Sequence, residues 1–438
     1  VNAGGAVGAP ALGEQVRFFV PGRIEVLGKH TDYAGGRTLV AAVDRGVTIT
    51  CSPTSFSPTG PASGITARSL ALPGDLRILA GADPQLPTGH WGRYVQTVVD
   101  RLTDNFGALA PCDITISSDL PLASGMSSSS ALVSALVLAL ADANGFRNSE
   151  RWRRNVADRA DLAQYLACFE NGMSFKELAG AAGVGTFGGS EDHTAMVFSQ
   201  EGELGQFRFC PIRLEKRVRL PEDLALIVLV SGVAAEKTGA ARELYNRASL
   251  STREILSRWN ESTGRRDAVL ADALTVDPQA TRLHRLVAGD DYLTRRLDHF
   301  LAESEQIIPA ATDALEAGDL TAFGDAVDES QRVAETLLGN QVPETIALAR
   351  IARADLSAVA ACSFGAGFGG SVWAAAPSAD AEDFAAEWLR RYAVEFPEVA
   401  SRATTMVTRP GTVGPQALNC WCDRLPSPRE SQDVIHSG

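Results

Sequence analysis

With 438 residues, of which 45% are hydrophobic, the chain can bury a large core and is long enough for two or three domains. Its 53 acidic against 40 basic residues leave a formal charge of -13, which argues against nucleic acid or an anionic membrane as main partner, because phosphate surfaces recruit basic faces. Seven scattered cysteines give neither a disulfide framework nor a four-ligand zinc site, and Cys420-Trp421-Cys422 is too short for a metal clip without a second pair. The opening VNAGGAVGAPALGEQ lacks a basic stretch followed by an apolar one, and no apolar run reaches about 18 residues, so the expectation is a cytoplasmic protein.

Residues 15–120 alternate short β-like runs with turn clusters. Among them, PGRIEVLGKHTDYAGG (residues 21–36) sets a short apolar strand at Ile24, Val26 and Leu27 that breaks at Gly28 into five polar side chains, Lys29 to Tyr33. What so many hydrogen-bonding groups grip is the first question the chain raises. His90-Trp91-Gly92-Arg93-Tyr94 opens a helical repeat carried by Trp91, Tyr94, Val95, Val98 and Leu102. DITISSDLPLASG predicts a strand at Ile114 and Ile116 running into a loop. SSSSALVSALVLALADANG predicts a helix that begins in serines, ends at Asn144-Gly145 and is too apolar for the surface. LALIVLVSG (residues 224–232) reads as a buried strand; the pattern from about 238 to 356 is mostly helical, and strand signals return at SVWAAA. PSADAEDFAAEWLRRYA adds an amphipathic helix, and the end from about 424 has the composition of a frayed tail.

Two further stretches carry chemistry. PLASGMSSSSA (residues 121–131) delivers four serines to a helix start, where free backbone N–H groups, hydroxyls and the positive end of the helix dipole suit a polyphosphate. It is no Walker A loop, since no Gly-Lys-Ser/Thr follows, and a plain serine N-cap is the alternative. SFGAGFGGSVW (residues 363–373) places four glycines in six positions around Phe368 just before a strand, which serves either close approach to a ligand or a tight packing turn.

Together and in this order the three stretches resemble the GHMP kinases, and within them the galactokinase family: PGRIEVLGKHTDYAGG its sugar signature, PLASGMSSSSA its phosphate loop, FGAGFGGSV its third motif. Supporting echoes are HWGRY, Phe169-Glu170-Asn171, Gly188-Gly189-Ser190-Glu191-Asp192-His193, Tyr245-Asn246-Arg247, and FGDAVDESQ followed by VPE at residues 342–344. The resemblance implies an α+β fold in two lobes, a ribosomal-protein-S5-like N-terminal domain over 1–220 and a ferredoxin-like C-terminal domain over 221–438, with ATP and sugar meeting in the cleft between them. It implies transfer of a phosphoryl group from ATP to the C1 hydroxyl of galactose or a close relative. Asp192 would then be the catalytic base and Arg23 the residue that orients it and stabilises charge on the transferring group. Ser124, Gly125, Met126, Ser127, Ser128, Ser129, Ser130 and Trp91 would hold ATP; Ser129 and Glu170 would bind magnesium, which prefers oxygen donors. The sugar would be held by Lys29, His30, Asp32, Gly189 and Tyr245, so that the five polar side chains of the signature grip a polyol. The partner implied is the sugar, with no nucleic acid and no membrane, and the chain is a monomer or a dimer.

Departures from the family pattern bear on substrate. Lys29 stands where galactokinases have glutamate, replacing an acceptor near the sugar C6 oxygen by a cationic donor; this makes a hexuronic acid, galacturonate or glucuronate, the alternative substrate, unless Lys29 turns outward to Glu25 or Glu191. Glu191 adds a carboxylate beside the base, the spacing from Glu170 to Asp192 is longer than the family's, Ala123 replaces a loop glycine, and Gln331 stands where the late motif has histidine. A galactokinase-like sugar sensor without turnover is less expected, since Ser127 to Ser129 are all present. The HTDY signature and Tyr245 argue against a mevalonate or homoserine kinase.

Overall fold

The computed structural model describes residues 14–54, 64–87, 89–121, 124–181, 183–184, 188–233 and 239–411. Ala123, the Cys420–Cys422 pair and the tail from 424 lie outside the described residues.

The signature strand β1 (Val16–Leu27) is longer than its apolar centre suggests and pairs antiparallel with β2 (Arg37–Pro53). The pairing shifts register twice, between Pro21 and Arg23 and between Glu25 and Leu27, so the segment carrying Arg23 and Glu25 is re-aimed relative to the rest of the ladder. With β3 (Ile65–Ser69), β4 (Asp75–Ile78), β5 (Cys112–Ser118), β6 (Glu203–Arg208) and β7 (Arg213–Arg219) these strands form a sheet of order β4-β3-β5-β2-β6-β7, to which β1 adds through β2; only β3 and β5 run parallel. The helices of this half are α1 (Trp91–Phe106), α2 (Ser128–Ala143), α3 (Glu150–Asn155), α4 (Arg159–Asn171) and α5 (Glu191–Phe198). Every residue of α2 from Ser130 to Ala141 is buried, which is the physical reason for its apolar composition: it packs on all sides, against β1, β2, α1 and α4.

The second sheet, β11-β8-β10-β9, is antiparallel throughout: β8 (Leu224–Val230), β9 (Ala360–Phe364), β10 (Ser371–Pro377) and β11 (Thr404–Thr408). Between β8 and β9 run α6 (Gly239–Thr263), α7 (Leu270–Leu274), α8 (Thr281–Val287), α9 (Asp291–Phe300), α10 (Ile308–Ala317), α11 (Leu320–Val333) and α12 (Pro343–Arg350), with α13 (Ala381–Glu395) and α14 (Pro397–Ala400) before β11. One apolar core runs from the first sheet through α2 to Phe323, Val327, Cys362 and Trp373, so the two halves share an interior. A third cluster, built on α6 to α9, packs Ile255, Trp259 and Phe300 around Ala34 and against Tyr33, so that the signature turn is wedged against the helical segment.

That turn is fixed by buried polar bonds. The Thr31 hydroxyl lies 2.8 Å from the Gly28 carbonyl and 2.6 Å from that of Arg37, and the Gly28 N–H donates to Glu303 Oε1 at 2.8 Å. Gly28 itself, at φ 119, faces Thr38 so closely that a Cβ would lie 2.7 Å from its Cα. Lys29 corrects the sequence expectation: its ammonium is fully buried and points inward, donating to Ser330 Oγ at 3.2 Å and Cys362 Sγ at 3.1 Å, with Ser330 in turn donating to Glu303 at 2.9 Å. Burial opposes its charge, but Cys362, Glu303 and Glu25 outweigh that and raise its pKa above the ordinary lysine value. The lysine therefore locks the signature turn to α11 and β9 and neither reads a sugar nor turns outward. Lys29→Glu should set two carboxylates together in a dry site and lower stability by roughly 3–5 kcal/mol. Urea unfolding followed by tryptophan fluorescence measures this; a variant as stable as the wild type would contradict the placement.

Candidate active site

The register shifts of β1 bring Arg23 under the loop that precedes α2. Its backbone N–H donates to the Met126 carbonyl at 3.2 Å, and Nη1 donates to the Gly125 carbonyl at 2.7 Å. Nε donates to Asp192 Oδ1 at 2.8 Å, with Nη2 only 2.6 Å from the same oxygen, and Glu191 Oε1 lies 3.3 Å from Nε. Burial works against the guanidinium charge, but Asp192, Glu191 and Glu25 hold its pKa above the usual range, so it stays a cation. One buried arginine thus joins the phosphate-loop backbone to the start of α5.

Asp32 faces this pair across a small cavity. Its Oδ2 accepts from the Glu191 N–H at 3.1 Å, and a Cβ on Gly189 would meet that oxygen at 2.1 Å, so only glycine fits beside it. Burial pushes the Asp32 carboxyl up to about 6 against the opposing backbone bonds. His30, at φ 58, sits with Nε2 3.1 Å from the Ala366 carbonyl, Nδ1 2.8 Å from the Tyr33 hydroxyl, and its ring 5.0 Å from that of Tyr245. A carbonyl only accepts, so Nε2 carries a proton. Of the five polar side chains of the signature, His30, Asp32 and Tyr33 line the cavity; Lys29 and Thr31 build the turn that presents them.

On the opposite side, the third motif backs the phosphate loop: Ser371 Oγ donates to the Ser124 carbonyl at 2.6 Å, and Gly365 lies against the Gly125 carbonyl, which a Cβ would approach to 3.2 Å. Ser127, at φ 55, precedes α2 without a side-chain capping bond, and the buried Ser124 hydroxyl has no hydrogen-bond partner. The plain N-cap reading therefore fails, since the Ser127 side chain does not cap the first-turn N–H groups of α2. The serine that meets Glu170 is Ser130, not Ser129: its hydroxyl lies 2.9 Å from Glu170 Oε1 and 3.1 Å from Asp192 Oδ2, and its single proton serves one of them at a time. Among the described residues no group of three or more His, Cys, Asp or Glu is placed to hold a metal. The oxygen-only pair Ser130 and Glu170 fits magnesium, which takes one or two carboxylates and leaves its remaining positions to phosphates and water. Trp91 opens α1 against the core, stacked on His90 at 5.5 Å, and does not line the cavity.

Arg23, His30, Asp32, Glu170, Gly189, Asp192 and Tyr245 line one cavity of about 50 Å³. Glu25, which sequence reasoning did not assign to the site, lines it as well, as does Tyr33 of the signature. Alternation along β1 is the signal that places Glu25 on the Arg23 side. Arg296 of α9 was missed for want of any motif; buried, it donates to the His30 carbonyl and, at 3.2 Å, to the Tyr33 hydroxyl, and so holds the signature turn from behind. The longer segment after Glu170 is a folded loop pinned to α1, with Arg101 donating to the Met173 carbonyl at 2.6 Å, and it returns through a Val184 N–H to Glu170 carbonyl bond of 2.9 Å.

Three families match the chain: the galactokinase galactose-binding signature over residues 9–53, the GHMP kinases N terminal domain over 93–189 and the GHMP kinases C terminal domain over 311–394. Among curated proteins, the galactokinase of Mycobacterium tuberculosis is 28% identical over 382 residues, covering 86% of this chain and 93% of its own. The galactokinase of Exiguobacterium sibiricum is 26% identical over 410 residues, covering 89% and 92%. The fold of Lactococcus lactis galactokinase complexed with galactose superposes with a TM-score of 0.72 at 22% identity over 92% of this chain and 95% of that one; a Methanococcus jannaschii mevalonate kinase gives 0.55 at 14% identity over 91% and 99%. No helix among the described residues is long and apolar enough to cross a membrane. The fold is thus the two-lobed α+β fold of these kinases, and the chain belongs to the GHMP kinases, within them to the galactokinase family.

Proposed function

We propose that the protein transfers the γ-phosphoryl group of ATP to the C1 hydroxyl of galactose or a close neutral relative. The observation that carries this reading is the position of Asp192: its carboxylate is held by Arg23 between the mouth of the phosphate loop and the cavity wall of Asp32, His30 and Tyr245. Similarity to galactokinases over nearly the whole chain supports it.

In this reading Asp32 accepts from sugar hydroxyls, with the His30 and Tyr245 rings as walls, so that one hydroxyl points at Asp192. Asp192 accepts that proton as the oxygen attacks phosphorus. Arg23 fixes the orientation of the base and, as a buried cation in a water-poor site, stabilises the charge that develops on the transferring group. The free N–H groups at the start of α2 and the Ser124 and Ser127 hydroxyls hold the phosphates. Magnesium, when bound at Ser130 and Glu170, supplies charge neutralisation to the phosphate oxygens. The hexuronic-acid alternative rested on Lys29 and loses its support with that side chain turned into the core.

ADP release with ATP and a panel of galactose, N-acetylgalactosamine, glucose, arabinose, galacturonate and glucuronate tests the reaction; turnover of galactose or a neutral relative is expected, and none with any sugar would refute it. Asp192→Asn should reduce kcat to background while leaving sugar affinity within about tenfold, because the amide keeps the shape and loses the basic lone pair. Residual activity above about a tenth would remove Asp192 from the role of base. Ser130→Ala combined with Glu170→Gln should raise the magnesium concentration for half-maximal rate by about tenfold or more, and an unchanged magnesium titration would show that they are not ligands.

A further inference from the structure

Glu25 and Glu191 have no part in the reading given so far, yet both line the cavity. Glu25 is 3% exposed and Glu191 6%; their carboxyl groups hydrogen-bond to each other, and Oε1 of each takes no bond from a backbone, amide, hydroxyl or cationic donor, that of Glu191 being close enough to Arg23 to ion-pair but not aligned to accept from it. Among the described residues of the lining the one arginine or lysine, Arg23, has its guanidinium committed to Asp192 and to the Gly125 carbonyl, and Lys29 acts on Glu25 only at a distance while bonding to Ser330 and Cys362. Against these stand five carboxyl groups in the same wall: Glu25, Asp32, Glu170, Glu191 and Asp192. Burial pushes Glu25 up to about 7 against the pull of Arg23 and Lys29, and burial with Glu25 nearby raises Glu191 well above the usual range. An acid pair bonded to itself, beside three more carboxyl groups and a cation already committed elsewhere, is complementary to a ligand that brings donors.

We propose that Glu25, backed by Glu191, is the acceptor with which this site reads one substituent of its sugar, and that this substituent is a hydrogen-bond donor, a hydroxyl or an ammonium group, and not a carboxylate. The inference rests on the cavity being the sugar site, and it deepens that reading by setting the substrate class as neutral or amino sugars. A carboxylate entering here meets like charge and, among the described residues, no uncommitted cation, whereas an ammonium group brings donors to the acid pair.

Calorimetric titration of the full chain, without nucleotide, against galactose, galactosamine, 6-amino-6-deoxygalactose and galacturonate tests it. At least one of the two amines should bind as tightly as galactose, and galacturonate about tenfold or more weaker than galactose. Glu25→Gln, which keeps the shape and removes the charge, should narrow the gap between that amine and galacturonate by about tenfold, and Glu25→Lys should reverse it. Galacturonate bound as well as galactose, both amines bound more than about tenfold weaker than galactose, or a gap unmoved by both variants overturns the proposal. Sugars that bind in the expected order but yield no ADP with ATP would refute phosphoryl transfer alone and support the role of Glu25; failure of all four sugars to bind would overturn both.

Discussion

The site depends on one buried guanidinium. Arg23 is a charge held out of water, and such a group is tolerated only where partners surround it. Its partners here come from three separate parts of the chain: the Gly125 carbonyl of the phosphate loop, the Asp192 carboxylate at the start of α5, and Glu191 beside it. Because each of these must be in place to satisfy the arginine, the loop before α2 and the Asp192 carboxylate are set relative to one another before any ligand arrives. A second buried cation, Lys29, plays the corresponding structural part behind the signature turn, where Ser330 and Cys362 accept hydrogen bonds from it and Glu303 holds the Gly28 N–H. The two cations sit six positions apart on one segment and do different work, because the turn at Gly28 sends the second into the interior between the two halves of the fold.

Much of this was legible in the sequence where a local pattern had one physical outcome. The uniformly apolar run after the four serines admits only a helix packed on all sides, and α2 is that helix. The seven-residue apolar run at 224–230 is the fully buried β8. β9 was not legible: Ala360-Ala361-Cys362-Ser363-Phe364 shows neither alternation nor β-branched residues, and it is a strand because β10 and the buried polar groups of α11 receive it. Gln331, which stands where the family motif has histidine, accepts from the Ser363 N–H at 2.9 Å and so helps to hold that strand.

For the site, residue type was readable and direction was not. Arg23, His30, Asp32, Glu170, Asp192 and Tyr245 do converge on one cavity. Lys29 illustrates the gap: a lysine in a polar run reads as a ligand contact, and only the backbone turn and the acceptors waiting in α11 and β9 decide that it points the other way. Ser130 replaces Ser129 as the partner of Glu170 for a similar reason, since a shift of one residue around a helix turns a side chain by about 100° and exchanges one neighbour for another. Glu25 was passed over because a single acid in a strand carries no motif, and its importance comes from Glu191, 166 positions away in the sequence, closing on it in the fold.

The central claim, that the cavity between Arg23, Asp192 and Asp32 is a centre for phosphoryl transfer to the anomeric hydroxyl of a sugar, is tested most directly by the identity of the product. Phosphorus NMR of the reaction of the full chain with ATP, magnesium and galactose should show one new phosphate ester coupled to the anomeric proton, appearing in step with ADP. An ester on any other hydroxyl, or ATP consumed to inorganic phosphate alone, would contradict the account.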